Sequence, residues 1–200
     1  MPPMNVNEMV IRGLLSTTSF FLLFLVPMIT MRLFAEEKKT GTIELLMTSP
    51  ITERQLVLGK FYGCFLLYSI MLGITVPFIL ILFRYGNPDW KPVVVGYLGQ
   101  LLLGGTFISL GLMFSTFTKN QLIAASLTFT TLLLLWVIGF WSQYSGSAWA
   151  QIANYIAILT HIEPFNKGVI ELKDTLYYLS VIGLGLFLSV RSVESTRWRA

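Results

Sequence analysis

The stretch Ala35-Glu-Glu-Lys-Lys-Thr-Gly-Thr-Ile-Glu-Leu-Leu-Met-Thr-Ser-Pro-Ile-Thr-Glu-Arg-Gln-Leu-Val-Leu-Gly-Lys60 separates two long apolar runs. It holds four acids and four bases, so it is wet on one side. Ile43, Leu46 and Met47 fall at i, i+3, i+4 and place an apolar stripe on one face of a short helix. Pro50 ends that helix, because it pushes its predecessor Ser49 out of the α region. Thr52 and Gln55 then have the spacing of a capping box. The helix they open runs through Lys60 into the next apolar run. The pattern predicts a short amphipathic helix along a membrane face, joined by a tight turn to a spanning helix. Such a segment either floats its apolar side among headgroups or acts as a lever that docks a soluble partner.

Working outward, the runs at 13–31, 61–83, 93–117, 121–141 and 175–190 are each mostly apolar. A spanning helix needs roughly 20 such residues, since each rises about 1.5 Å through a hydrocarbon core about 30 Å thick. The composition agrees. Of 200 residues 54% are hydrophobic and 12% charged, with mean hydropathy +0.71, whereas a globular chain carries about 25% charged residues. So few charges cannot cover a water-exposed surface. The aromatic and apolar content also excludes disorder, and the single cysteine, Cys64, excludes a disulfide scaffold. Pro27, Pro77, Gly104, Gly105, Gly183 and Gly185 interrupt the runs, which is tolerable where neighbouring helices satisfy the freed backbone. The fold class expected is an all-α integral membrane protein with about five transmembrane helices, occupying 1–200 as one transmembrane domain.

Orientation follows from lysine and arginine near the span ends. With 34–60 cytoplasmic, Arg32, Lys38, Lys39, Arg54, Lys60, Lys119, Arg191, Arg197 and Arg199 fall inside, against Arg12, Arg84, Lys91, Lys167 and Lys173 outside, nine to five. The amino terminus is then outside and the carboxyl terminus cytoplasmic. The first run is longer than the apolar core of a secretory signal and ends in Arg32 instead of a small-x-small site, so a retained span is expected. Between the fourth and fifth runs, Trp149, Ile152, Ile156 and Leu159 recur at helical spacing, broken by Gln151, Asn154 and Thr160. This predicts an external re-entrant or interfacial helix over 148–161, ended by Pro164. From the residues it serves as packing on the outer span ends. Trp90, Trp136, Trp141, Tyr144 and Trp149 mark outer boundaries, and Trp198 the inner one.

Other chemistry finds little support. Gly59-Lys60 lacks the upstream glycine and following Ser or Thr of a phosphate-binding loop. His161, the sole histidine, forms at most a dyad with Ser145 or Ser147, whose Tyr-Ser-Gly-Ser setting reads better as a turn. One His and one Cys in different segments cannot supply three or four metal ligands. The basic residues are scattered, with no aromatic-laced basic patch, so no nucleic-acid partner is expected. No Asp, Glu, Lys or Arg lies deep within a run, which disfavours an ion-coupled transporter.

The order Arg32-x-Phe34-Ala-Glu-Glu-Lys-Lys-x-Gly41-Thr-Ile-Glu-Leu-Leu-x-x-x-Pro50, with Gly59-Lys60 opening a span, resembles the membrane subunit of ABC-2 type transporters, closest to the permeases of the gliding-motility and copper-processing branch. Asn87-Pro88-Asp89, Ser115-x-x-Thr118-Lys-Asn-Gln121 and Gly168-Val-Ile-Glu-Leu-Lys-Asp174 are similar too. The resemblance implies a non-enzymatic permease in the cell (inner) membrane, with no cofactor of its own. ATP and Mg would bind a separate ATPase subunit, and a second permease copy, identical or not, would complete the transporter amid membrane lipid. It also implies that the external helix over 148–161 is an outer gate and that a cytoplasmic coupling helix seats in the ATPase. Carried over to this sequence, the contacts are Glu36, Glu37, Lys38, Lys39, Gly41, Thr42, Ile43, Glu44, Leu46, Met47 and Pro50. Members usually have six spans, so a first span is expected to be missing here. A non-transporting membrane anchor or truncated component of an envelope complex is the alternative.

Overall fold

The computed structural model describes residues 10–48, 50–85, 88–144 and 153–197. Among them all regular structure is helical and no strand occurs. In chain order the helices are α1 (Arg12–Thr30), α2 (Arg32–Thr40), α3 (Ile43–Thr48), α4 (Glu53–Gly73), α5 (Val76–Tyr85), α6 (Trp90–Phe117), α7 (Gln121–Tyr144), α8 (Ile158–Asn166) and α9 (Leu172–Arg197). Five segments are long and apolar enough to cross a membrane: Arg12–Thr40, Glu53–Tyr85, Trp90–Phe117, Gln121–Gly139 and Leu172–Ser195. The chain is an all-α, multi-pass membrane protein.

α6 is the axis, the most enclosed of the five, with α1, α2, α4, α7, α8 and α9 packed round it. Its apolar residues run right round the helix, as a helix buried in a bundle requires. Small residues bring the partners close. At Gly104 a Cβ would stand 2.1 Å from the Tyr68 ring of α4, and at Gly185 of α9 it would meet Ser109 at 2.9 Å. A polar knot lies in the same layer. Gln100 donates to the Leu15 carbonyl at 3.0 Å and to Ser19 Oγ at 2.7 Å, while Tyr68 donates to the Gln100 carbonyl at 2.8 Å. These bonds tie α1, α4 and α6 where hydrocarbon offers no substitute for water.

The local signals act as their chemistry requires. Gly41, with φ +77°, closes α2 in the left-handed region. Thr52 and Gln55 form the capping box in both directions, Gln55 N–H to Thr52 Oγ1 at 3.3 Å and Thr52 N–H to Gln55 Oε1 at 3.0 Å. The 61–83 run divides at residues 74–75, and Pro77 sits in the first turn of α5, where it has no intrahelical donor to lose.

One expectation is corrected. Pro164 does not end the helix before α9 but lies inside α8. The helix stops at Gly168, φ +80°, where Gly168 N–H donates to the Phe165 carbonyl and Val169 N–H to the Pro164 carbonyl, both at 2.9 Å. This is a Schellman closure, and it uses the proline's carbonyl, which proline retains. Of the segment expected as an external helix, 148–152 lies outside the described residues, as do Ser145 and Ser147. Residues 153–156 are helical, and the chain breaks at Ala157 before α8 begins.

Candidate functional site

The polar stretch folds into a corner at one end of the bundle. α1 breaks at Met31, and the broken turn frees the amide groups of Phe34 and Ala35. Both donate to Ser115 Oγ of α6, at 3.0 and 3.1 Å, and that hydroxyl donates to the Met31 carbonyl at 3.1 Å. One serine side chain therefore stitches the helix break to the central helix. Lys38 and Ser192 both donate to the Thr116 carbonyl, the latter at 3.0 Å, adding α2 and α9 to the same point. Lys60 of α4 donates to the Leu33 carbonyl and to Glu37, and its ammonium stands 4.7 Å from the centre of the Phe34 ring. A cation facing an aromatic and a carboxylate in a half-buried place holds α4 against α2.

α3 projects from this frame. Ile43 is buried in the main core, Leu46 is half-buried, and Leu45 is 72% exposed. Of the i, i+3 stripe read from the sequence, Ile43 faces inward and Leu46 only partly so, while Glu44 and Leu45 between them face out, since neighbours on a helix differ by about 100°. Of the eleven candidate contacts, Glu37 and Lys38 are engaged within the chain and Ile43 is core. Glu36, Lys39, Gly41, Thr42, Glu44 and Pro50 are exposed, and the Met47 side chain is outside the described residues. Thr42 meets Thr40 hydroxyl to hydroxyl at 2.9 Å across the α2–α3 turn. Sequence reading missed Leu45, Ser115, Thr116 and the bridging part of Lys60. A serine and a threonine in the last turn of an otherwise apolar run were the available signal.

The opposite end holds a buried ionisable pair. His161 of α8 and Asp174 in the first turn of α9 are 5% and 1% exposed, with Nδ1 2.7 Å from Oδ1. His161 Nε2 lies 3.2 Å from the Tyr155 carbonyl, and the ring stacks on Tyr177 with centroids 4.0 Å apart. Carboxylate and carbonyl both accept, so both bonds form together only when each ring nitrogen carries hydrogen. Tyr177 and Tyr178 donate to the Ile156 and Ile158 carbonyls, at 2.7 and 3.1 Å. Asp174 Oδ2 and Asn166 Oδ1 are buried without a hydrogen-bond partner among the described residues. Among the described residues, this pair is His161's setting. It was missed because the apolar run alone starts the last span at 175, whereas α9 begins at Leu172 and carries Asp174 inward.

Between α1 and α4, a cavity of about 240 Å³ opens sideways, lined by apolar residues including Leu22, Val26, Cys64, Leu72 and Ile108. Its chemistry is that of hydrocarbon.

No curated protein matches the chain. The sequence profile described as ABC-2 family transporter protein matches residues 3–189, which takes in the α3 corner, the axis α6, the His161–Asp174 pair and most of α9. With nearly its whole length matched, this multi-pass helical chain belongs to the ABC-2 transporter family.

Proposed function

We propose that this chain receives mechanical work from a separate ATP-hydrolysing subunit through α3 and uses it to export a substrate across the cell membrane. The family makes it a membrane permease component of an ABC transporter and implies an ABC ATPase as partner. The finer reading rests on one observation: Leu45 is exposed on a short helix between α2 and α4, which are fastened to each other and, through Ser115, to α6. An apolar side chain on a polar, fastened corner suits insertion into a cleft. Motion of α3 then moves α2 and α4 together, because Lys60 and Glu37 join them and Ser115 joins α2 to the axis. Glu36, Lys39 and Glu44, exposed beside Leu45, supply polar contacts at the rim.

In this reading the 34–60 corner is cytoplasmic, the amino terminus lies outside, and the carboxyl terminus lies inside the inner membrane. Two permease subunits and two ATPases form the transporter. ATP and Mg are held by the ATPase, and this chain does no chemistry. α8, fastened at the opposite end, closes the exit side.

The test is co-purification of the ATPase subunit with a tagged form of this chain. Leu45→Asp is expected to abolish it while membrane insertion and monodispersity persist. Leu46→Asp faces the half-buried side and is expected to cost stability as well. Full retention of the ATPase by Leu45→Asp overturns the coupling reading.

A further inference from the structure

A groove of about 240 Å³ runs between α4 and α9 at the level of the α3 corner, where Ser192 reaches Thr116. Its mouth carries Arg54 of α4 and Arg191 of α9, and its walls include Leu58, Phe187 and Val190. Arg191 donates to Glu194 Oε2 at 3.1 Å, and its guanidinium lies 5.3 Å from the centre of the Phe187 ring. That one carboxylate leaves the groove with one net positive charge. Arg54 makes no side-chain hydrogen bond or ion pair among the described residues. Deeper in the bilayer the groove continues along exposed apolar faces. Leu58 and Tyr62 lie one turn apart on α4, and Phe187 and Leu184 do so on α9, all at least 37% exposed.

We propose that this groove binds an anionic phospholipid of the leaflet on the α3 side, with its phosphate between Arg54 and Arg191 and an acyl chain over Leu58 and Phe187. Guanidinium groups match phosphate in two-pronged geometry and are only weakly hydrated, which suits the headgroup layer. Basic residues at a membrane surface draw anionic lipid, and the apolar continuation selects a lipid over a free anion. A second copy of this chain fits worse, because a twofold contact there would set the unpaired Arg54 and the net positive groove against their own copies. The inference depends only on the membrane-spanning fold and is independent of ATPase coupling.

The whole chain, extracted in detergent from vesicles of equal phosphatidylglycerol and phosphatidylcholine, is assayed for retained lipid by mass spectrometry. The wild type is expected to retain phosphatidylglycerol in excess, with roughly fivefold of that preference lost per arginine neutralised. Arg54→Gln/Arg191→Gln is expected to retain the two lipids equally, and Arg54→Lys/Arg191→Lys to keep part of the preference. Glu194→Gln, which removes the competing carboxylate, is expected to raise it, a gain that misfolding cannot produce. Equal retention by the wild type overturns the proposal, as does an unchanged preference in the double glutamine variant. So does full displacement of the lipid by millimolar glycerol phosphate, which identifies a free-anion site. Loss of the oligomer or of the ATPase in the double glutamine variant, with lipid preference intact, assigns the groove to a protein partner and overturns it too.

Discussion

The two ends of the bundle handle their polar groups in opposite ways. At the α8 end, His161, Asp174, Tyr177 and Tyr178 turn inward, and the hydrogen-bonded His161–Asp174 pair is almost wholly enclosed. At the α3 end the hydrogen bonds of Ser115, Thr116 and Lys60 lie behind the surface, and an apolar side chain, Leu45, is left facing out. The first arrangement resists opening, because separating α8 from α9 breaks a buried hydrogen bond and strands its polar atoms. The second keeps a rigid base under a projecting tip, which is what a part pushed by a partner needs. Location along the same bundle therefore decides whether polar groups are enclosed or stand behind an exposed apolar side chain.

The comparison breaks first at the buried pair. Asp174→Ala is expected to lower stability by up to about 3 kcal/mol, the cost of leaving a buried hydrogen-bonding group without its partner. His161→Ala/Asp174→Ala is expected to recover part of that loss. Thermal unfolding in detergent measures both, and a loss under about 1 kcal/mol in the single variant denies the clasp. Next comes the axis the two ends share. Gly104→Ala drives a methyl into the Tyr68 ring and is expected to cost about 1–3 kcal/mol through over-packing, read in the same melts. A neutral result shows that α4 moves off α6 easily, and the corner is then less rigid than described. Thr52→Ala removes the cap of α4 and is expected to cost about 1 kcal/mol, with faster hydrogen exchange confined to the first turn of α4. Spread of that exchange to α2 reveals closer coupling through Lys60. Smallest is Leu45→Asp, expected to stay within about 0.5 kcal/mol of the wild type as a surface change, while the proposed coupling expects it to release the ATPase. A large loss of stability there places Leu45 in the core and erases the contrast between the ends.

Much of this was legible in the residues. The 43–50 segment carries its helix, its stop and the following cap in adjacent positions, and α3 and the Thr52–Gln55 box form where local chemistry puts them. The apolar runs likewise locate the five crossings. Where reading failed, two local signals competed. Pro164 looks like a terminator, but the glycine four residues later offers the left-handed turn that a closure needs, and the helix continues to reach it. Ile43 and Leu46 share one stripe in the sequence, yet only Ile43 enters the main core, Leu46 stays half-buried, and Leu45 between them is 72% exposed.

The sequence by itself determined that the chain crosses a membrane, about where it does so, and where its polar corner folds, because burial in lipid and helix termination depend on residues within a few positions of each other. Only the tertiary structure decided that Ser115 holds a helix break 81 residues away, that Asp174 meets His161, and that Leu45 rather than Leu46 faces outward. Those outcomes depend on which surfaces come together around α6, and periodicity along one helix carries no information about its neighbours.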